Sequence, residues 1–210
     1  YNLTVNASPA DGGSVNGSGT YNCCTNATVN AIPADVCWYF VNWSGDLSGS
    51  VNPTNITMDS DKTVTANFAK YSYNLTTGST SGGNVTTPGE AGPYTYNCSD
   101  VVNLVATPDT CYAFVNWTGD VSEIADVNAS STNITMNGSY NITANFKMIT
   151  YNLTTGSTSG GNVTVPGEGT FTRNCSQVVN LVATPDTCYA FVNWTGAPID
   201  GNTSPNVNIT

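Results

Sequence analysis

Short apolar runs alternate with polar residues along the whole chain and are separated by turn-forming residues. The runs are rich in Val, Ile, Thr, Tyr and Phe, and clusters of Gly, Pro, Asn and Asp lie between them. This pattern is typical of β-strands, whose side chains point alternately to the two faces of a sheet. No stretch keeps the 3.6-residue period of an amphipathic helix. The sequence therefore predicts an all-β protein.

The strand pattern is organised as three copies of one unit. Two long segments recur without change: YNLTTGSTSGGNVT at 73–86 and 151–164, and VVNLVATPDTCYAFVNWTG at 101–119 and 178–196. A more diverged copy opens the chain. Self-similarity at a fixed period marks an array of like modules. We predict three tandem β-rich modules, of β-grasp-like or sandwich form, at residues 1–70, 71–149 and 150–210.

The second module shows the expected strand pattern most clearly. Gly82-Gly83 supplies the positive φ angle that a tight hairpin requires. Ile142, Ala144 and Phe146 alternate with polar residues and should face the core. The predicted strands lie near residues 73–77, 84–87, 101–106, 113–117 and 133–146, the last interrupted by a turn at Asn137-Gly138.

The third module lacks the counterpart of one strand. Asn208-Ile209-Thr210 aligns with residues 133–135, and nothing in the third module corresponds to the segment that follows them in the second. Two interpretations stay open: the chain is an excerpt from a longer array, or a neighbouring chain supplies the strand. An open sheet edge invites such strand addition, so end-to-end self-association into a fibre is expected.

Charge and composition exclude several classes of function. The chain has 14 acidic and 4 basic residues, a net charge of -10 and no histidine. Nucleic-acid binding depends on clustered positive charge, and histidine triads and many zinc sites depend on imidazole. No apolar stretch is long enough to cross a membrane. We therefore expect no enzyme, no cofactor, no nucleic-acid partner and no membrane span in this segment.

The seven cysteines indicate an exported protein. In each module one cysteine precedes and one follows the strand that ends at Pro33, Pro108 or Pro185. Closeness in sequence predicts one local disulfide per module, which favours an oxidising compartment and contributes roughly 3 kcal/mol to each small core. The expected bonds are Cys23–Cys37, Cys98–Cys111 and Cys175–Cys188. Cys24 is left over, and can exchange with Cys23, remain a buried thiol or bridge to another chain.

Acceptor motifs for N-glycosylation, Asn-x-Ser/Thr, are about three times more frequent than chance predicts. The 28 asparagines and the Ser and Thr content would give about 6 to 7 such motifs at random, whereas the chain has 20. The acceptors are Asn2, Asn6, Asn16, Asn26, Asn42, Asn55, Asn74, Asn84, Asn97, Asn116, Asn128, Asn133, Asn137, Asn141, Asn152, Asn162, Asn174, Asn193, Asn202 and Asn208.

The middle residue of the motif is apolar in 17 of the 20 cases. On a strand, an inward middle residue turns both the asparagine and the Ser or Thr outward. The hypothesis is that these asparagines carry N-linked glycans, which replace the charge that so weakly charged a surface lacks. The alternative is that Asn and Thr simply decorate the exposed faces of the strands.

A Phe-Val-Asn-Trp segment occurs once in each module, at residues 40–43, 114–117 and 191–194. If the Trp faces the core, strict alternation places the Phe on the outer face, where it could pack on the first sugar. A β-bulge would instead turn both aromatic side chains inward. The sequence does not distinguish these two arrangements.

The order of motifs resembles the divergent internalin-B-type bacterial repeat over nearly the whole chain. The resemblance is carried by Val-x-Leu-x-Ala-x-Pro at Val101–Pro108, by Tyr-x-Phe-x-x-Trp-x-Gly-Asp at Tyr112–Asp120, and by the segment Asn52–Phe68. It implies β-grasp-like modules in exported surface proteins, acting as stalks or adhesive arrays without catalytic residues. Cys111 and Cys188 depart from the pattern because they stand where the family has Gly.

The leading functional hypothesis is a structural segment of a heavily N-glycosylated extracellular filament, stalk or surface layer. The alternative is a cell-surface adhesin that binds glycans or other ligands through the loops after Trp-x-Gly, at residues 46–52, 120–133 and 197–206. Asp120, Glu123 and Asp126 share one of these loops. They are either a calcium site or, more simply, a solvated acidic loop.

Overall fold

The computed structural model describes residues 1–210 and contains 19 strands and no α-helix. The one helical element is a 3₁₀ turn at Ala10–Gly12. No helix is therefore long and apolar enough to span a membrane. The strands fall into three groups, within residues 2–70, 72–148 and 150–209, and each group forms its own pair of sheets.

Module 1 is a sandwich of two sheets between which successive strands alternate. The odd-numbered strands form the sheet β3-β1-β7-β5, and the even-numbered strands form the sheet β2-β4-β6. In the first sheet β1 and β7 are parallel neighbours, and the other pairs are antiparallel. The strands are β1 (Asn2–Ser8), β2 (Gly13–Asn16), β3 (Gly19–Thr20), β4 (Asn26–Pro33), β5 (Trp38–Gly45), β6 (Thr54–Thr57) and β7 (Lys62–Lys70).

Module 2 repeats this topology strand for strand. Its four-stranded sheet has the order β10-β8-β14-β12, with β8 and β14 parallel, and its three-stranded sheet has the order β13-β11-β9. The strands are β8 (Ser72–Ser79), β9 (Gly83–Thr87), β10 (Tyr94–Asn97), β11 (Val101–Pro108), β12 (Tyr112–Gly119), β13 (Ser131–Thr135) and β14 (Tyr140–Met148).

Module 3 has five of these seven strands. Its sheets are β15-β17 and β16-β18-β19, and no strand corresponds to β12 or β14. The segment 189–196 has the sequence of β12 but is not paired as a strand. The strands are β15 (Thr150–Thr155), β16 (Gly161–Val165), β17 (Gly169–Asn174), β18 (Val179–Pro185) and β19 (Asn206–Ile209).

The core of each complete module lies between its two sheets. In module 2, Leu75, Ile142 and Ala144 of one sheet pack with Leu104 and Ile134 of the other, and all five are buried. The predicted inward alternation of β14 is confirmed. Each complete module has a core cluster of 11 buried residues, and module 3 has one of 4. Of the two forms expected, the sandwich is the one found.

A β-bulge settles the orientation of the Phe-Val-Asn-Trp segments. The register shifts between Phe40 and Asn42, and again at the same place in module 2. Because the bulge adds one residue, Phe40 and Trp43 both face the core, with ring centroids 5.1 Å apart. Val41 lies at the bulge and is exposed. The Phe side chain is therefore unavailable to a sugar on Asn42.

The prediction of a tight hairpin at Gly82-Gly83 was wrong. Gly82 does have a positive φ of 101°, but the turn it forms connects β8 to β9, which belong to different sheets. Asn137-Gly138 likewise connects strands of different sheets. Gly83 is required for packing instead, because a Cβ there would lie 2.6 Å from the ring of Phe146. The short strand β10 was missed by the sequence pattern.

Candidate functional sites at the module junctions and on the strand faces

A disulfide and one linker residue join module 1 to module 2. Cys37 bonds to Cys98, with their Cα atoms 5.3 Å apart and both side chains buried. The linker residue Tyr71 donates its N–H to the carbonyl of Cys37 at 2.9 Å, and its carbonyl accepts the N–H of Cys98 at 2.8 Å. The Tyr71 ring also packs on Tyr39, with ring centroids 4.8 Å apart. The two modules are thus fixed at one covalent and hydrogen-bonded point.

The junction between modules 2 and 3 has the same construction. Cys111 bonds to Cys175 with a Cα separation of 5.4 Å. Ile149 takes the place of Tyr71: its N–H donates to the carbonyl of Cys111 at 2.8 Å, and its carbonyl accepts the N–H of Cys175 at 2.9 Å. Sequence reasoning missed Tyr71 and Ile149. Their matching positions between the last strand of one module and the first of the next are the signal that could have revealed them.

The prediction of one local disulfide per module was wrong. Cys23–Cys37, Cys98–Cys111 and Cys175–Cys188 do not form; the bonds run between modules. In each module an eight- or seven-residue strand separates the two cysteines. Such a strand is roughly 23 to 26 Å long, whereas a disulfide needs Cα atoms within about 7 Å of each other. The two cysteines therefore lie at opposite ends of the module.

Three cysteines remain free and exposed: Cys23, Cys24 and Cys188. Cys24 forms no disulfide, and its exposure excludes the buried thiol that the sequence left open. Its Sγ lies 2.9 Å from Cys23 Sγ. The neighbouring Cys23 thiol raises the pKa of Cys24, first through their hydrogen bond and then through its charge.

Cys111 and Cys188 have the backbone conformation of the glycine that they replace. Their φ angles are 68° and 69°, in the left-handed region that glycine adopts without steric cost. In each case the next residue, a tyrosine, donates its N–H to an aspartate carbonyl three residues before it at 3.0 Å. The turn that presents the junction cysteine is thus built in the same way in modules 2 and 3.

The acceptor asparagines all reach solvent. Seventeen of the 20 are exposed and the remaining three, Asn116, Asn133 and Asn202, are half-buried. Of the middle residues, only Thr203 is exposed. The predicted alternation, with the middle residue inward and the asparagine outward, therefore describes the strand faces.

Eight acceptor asparagines have side chains that form hydrogen bonds within the protein through the oxygen Oδ1 and not through the nitrogen Nδ2. Thr20 Oγ1 donates to Asn2 Oδ1 at 2.9 Å, and Asn67 Nδ2 donates to Asn42 Oδ1 at 2.7 Å. The Oδ1 atoms that accept such cross-strand hydrogen bonds belong to Asn2, Asn26, Asn42, Asn55, Asn74, Asn116, Asn152 and Asn208. Nδ2, the atom to which an N-linked sugar is attached, stays unpaired in all eight. Asn137 differs, because its Nδ2 donates to Glu123 at 3.1 Å.

The loop after Trp-x-Gly is tied to the tryptophan in the same way in every module. In module 1 the backbone N–H of Trp43 donates to Gly49 O at 2.8 Å, and its indole Nε1 donates to Val51 O at 3.0 Å. In modules 2 and 3, Trp117 and Trp194 each bind two carbonyls that are likewise two residues apart. The base of each loop is therefore fixed, although the loops differ in length. Sequence reasoning did not identify this anchor.

The acidic residues of the second loop each make their own hydrogen bond. Asp120 Oδ2 accepts the N–H of Asn141 at 2.9 Å, which ties the loop to the start of β14. Asp126 Oδ1 accepts the N–H of Asn128 at 2.8 Å, and Glu123 is the partner of Asn137. The structure has no group of three or more acidic or cysteine side chains that could hold a metal ion.

A few other side chains have shifted pKa values. Hydrogen bonds from Ser157 and from the N–H of Val163 lower the pKa of Glu168, and the ion pair with Lys62 lowers that of Asp59. Burial raises the pKa of Tyr96 and of Tyr140.

Module 3 has an open groove where the other modules have a strand. The groove has a volume of about 380 Å³ and is lined by residues of 156–163, 183–185 and 189–195, including Phe191 and Trp194. In modules 1 and 2 the rings of Phe68 and Phe146, from β7 and β14, lie against the second Gly of the Gly-Gly pair. No aromatic ring lies against Gly161, its counterpart in module 3. The groove therefore corresponds to the place of the β14 strand and its Phe.

The comparison with protein families agrees with this three-fold construction. The model of the divergent InlB B-repeat domain matches residues 1–72, 73–150 and 151–210. The chain belongs to this family. B-repeat domains are non-catalytic repeats typical of bacterial cell-surface proteins, and no enzyme family matches the chain. Neither a curated protein nor a solved structure was found to match it.

Proposed function

We propose that this B-repeat chain is a structural segment of a heavily N-glycosylated extracellular filament, stalk or surface layer. The observation that carries the proposal is the acceptor surface: every acceptor asparagine reaches solvent, and eight of their side chains hydrogen-bond within the protein only through Oδ1. The disulfides at the junctions and the membership in a surface-repeat family support an extracellular location.

Glycans at this density would restrict where proteins can bind. The chain exposes 11477 Å², so 20 acceptors leave on average roughly 570 Å² for each. A standard protein interface needs about 800 Å² from each partner. A fully glycosylated chain would therefore leave little uninterrupted surface for a lateral protein interface.

The groove of module 3 supports assembly by strand donation. In modules 1 and 2 the strand at this place presents alternating buried residues, Val64 and Ala66 or Ile142 and Ala144, towards the core. A donated strand would need the same alternation. The N-terminal strand β1 is not free to donate, because it already pairs with β3 and β7 and buries Leu3 and Val5.

A peptide with the sequence of β14, residues 140–148, tests the groove directly. We expect it to bind module 3 and to protect the amide of Thr154 from hydrogen exchange, since Thr154 is the counterpart of Thr76, which pairs with the parallel neighbour β14 in module 2. A peptide with Ile142→Asn and Ala144→Asn is the matched control. Equal binding of both peptides, or no binding, would contradict the strand-donation part of the proposal.

Glycopeptide mapping of the native protein tests the glycan coat. We expect sugars on the acceptors and an intact mass well above the bare 21.9 kDa. Asn103 and Asn180 are internal controls, since they are exposed on strands but do not belong to an Asn-x-Ser/Thr motif. Asn137 should have the lowest occupancy because its Nδ2 is engaged with Glu123. The absence of sugar from all 20 acceptor asparagines would overturn the proposed glycosylation.

The Trp-anchored loops favour a second candidate, an adhesin. A fixed base with tips of different length is the arrangement used by binding loops on a rigid scaffold. If the protein is an adhesin, a glycan array should give binding that is lost when residues 121–128 are replaced by the shorter loop of module 1. Binding that persists in this variant, or no binding, would leave the structural function in place.

A further inference from the structure

The two junctions inside the chain use the same two positions in each module. Cys37 and Cys111 follow the strands β4 and β11 and bond to the following module, while Cys98 and Cys175 bond to the preceding one. Cys188 occupies the forward position in module 3. Cys23 occupies the backward position in module 1. Both are exposed and free, so the chain presents the two complementary halves of a third junction.

Cys188 is held in the bonding conformation. Its φ angle of 69° matches the 68° of Cys111. Asp186 donates its N–H to Gly160 O at 3.0 Å, as Asp109 donates to Gly82 O at 2.9 Å in module 2. The turn therefore has the same form whether or not its cysteine is bonded.

The turn that carries Cys23 matches the one that carries Cys98. Cys24 N–H donates to Met58 O at 2.8 Å, and Ser99 N–H donates to Met136 O at 2.9 Å. Cys24 and Ser99 also share a positive φ, of 63° and 68°. Module 1 differs at two positions: Cys24 replaces the serine, and Thr25 replaces Asp100.

The replacement of serine by Cys24 places a second sulfur beside the bonding position. Ser99 Oγ lies 3.1 Å from Cys37 Sγ, and Ser176 Oγ lies 3.1 Å from Cys111 Sγ. At a third junction, Cys24 would therefore lie beside the incoming sulfur and beside Cys23. This is the arrangement that thiol–disulfide exchange requires.

We propose that Cys188 of one copy of the chain bonds to Cys23 of the next copy by exchange with a Cys23–Cys24 disulfide. This joint rests on the proposed end-to-end assembly and specifies its covalent chemistry. The Cys23–Cys24 bond first forms from the two thiols as a small-molecule disulfide is reduced to two thiols. The Cys188 thiolate then attacks Cys23 Sγ, the Cys188–Cys23 bond forms, the Cys23–Cys24 bond breaks, and Cys24 leaves as a thiolate that takes up a proton.

A disulfide between adjacent residues is well suited to such exchange. Their Cα atoms are about 3.8 Å apart across a trans peptide, which is below the minimum of about 4.4 Å in ordinary disulfides. A bond of this kind is strained and readily reduced. The Cys188–Cys23 bond, between two separate turns, carries no such constraint.

The experiment begins with the full chain, oxidised by glutathione disulfide and freed of it by gel filtration. On incubation without oxidant we expect a ladder at multiples of the chain mass on a non-reducing gel and a Cys188–Cys23 cross-linked peptide by mass spectrometry. The number of free thiols should stay at one per chain, with alkylation moving from Cys188 to Cys24. A loss of two thiols per joint, a Cys188–Cys24 bond or a Cys188 bonded to any sequence outside residues 1–210 would overturn the proposal.

Two variants provide the controls. Cys188→Ser should give monomers only. Cys24→Ser introduces the serine that the same turn carries in modules 2 and 3, so it should fold, and it should form the ladder only while an oxidant is present. Ladder formation without oxidant by Cys24→Ser that intact mass shows to carry no bound glutathione would overturn the exchange step.

Electron microscopy of the same samples distinguishes a failure of the Cys188–Cys23 bond from a failure of the proposed filament. Filaments without the Cys188–Cys23 bond would overturn the joint and leave the filament. The cross-linked ladder without filaments would support the joint and contradict the filament.

Discussion

Modules 2 and 3 share long identical segments, yet the same residues are buried in one and open in the other. Leu75 is fully buried, whereas Leu153, in the same YNLTTGSTSGG segment, is half-buried. Tyr112 is half-buried, whereas Tyr189 is 61% exposed. The difference is β14, which lies between β8 and β12 and has no counterpart in module 3. Burial in this repeat therefore depends on one strand that arrives last in the sequence.

One substitution between the modules matches this difference. Asp46 and Asp120 accept the N–H of Thr63 and Asn141, near the start of β7 and β14. Module 3, which has no such strand, carries Ala197 at this position. Modules 1 and 2 thus share a hydrogen bond between this loop and a strand, which Ala197 cannot make.

The largest expected effect comes from breaking the junction that holds module 3 against module 2. The Cys111–Cys175 bond closes a loop of 64 residues, so replacing both cysteines with serine should lower the free energy of unfolding by about 4 kcal/mol in the chain-entropy model. Chemical denaturation of the oxidised double variant and of the oxidised unmodified chain measures it. Cys188→Ser is the matched control and should have no effect in the monomer; an equal loss in both would contradict the assignment of the bond.

Replacing the equivalent leucine by alanine in modules 2 and 3 measures the effect of β14 on the core. Leu75→Ala should cost about 3 kcal/mol because it leaves a cavity in a closed core. Leu153→Ala should cost about 1 kcal/mol, since the side chain is already partly solvated. Urea unfolding followed by hydrogen exchange in each module gives both values. Equal costs would show that the two cores are equally closed.

Swapping aspartate and alanine at the equivalent positions 120 and 197 tests the hydrogen bond between this loop and β14. Asp120→Ala should destabilise module 2 by about 1 kcal/mol, the contribution of a charged hydrogen bond at an exposed site. Ala197→Asp should change the stability of module 3 by less than this, since module 3 has no β14 strand to donate to it. Differential scanning calorimetry of the two variants compares them. A stabilising Ala197→Asp would mean that module 3 offers another donor.

The smallest expected effect concerns Glu168, whose pKa is lowered by Ser157 and Val163. Its carboxylate supports the folded module above the ordinary pKa of 4.5, and this contribution is lost as the pH falls through the lowered value. Glu168→Gln should therefore make the stability of module 3 depend less on pH in the acidic range. The pH dependence of hydrogen exchange at Val163 measures this, and an unchanged loss of stability at acidic pH would contradict it.

Elements that depend on local patterning could be predicted from the sequence. The strands, the inward residues of β14 and the outward acceptor asparagines follow from alternation alone. The partners of the strands could not be predicted, because turns such as Gly82-Gly83 look the same whether they form a hairpin or cross between sheets. Cys98 and Cys111 were paired for their closeness in sequence, although the strand between them keeps them apart. Their true partners lie more than 60 residues away in the chain.

Disulfide mapping of the intact chain, digested under non-reducing conditions with free thiols blocked, tests the joined-module arrangement most directly. We expect cross-linked peptides containing Cys37 with Cys98 and Cys111 with Cys175. Peptides that join Cys98 to Cys111 or Cys175 to Cys188 would contradict it, because two cysteines at opposite ends of a folded module cannot bond.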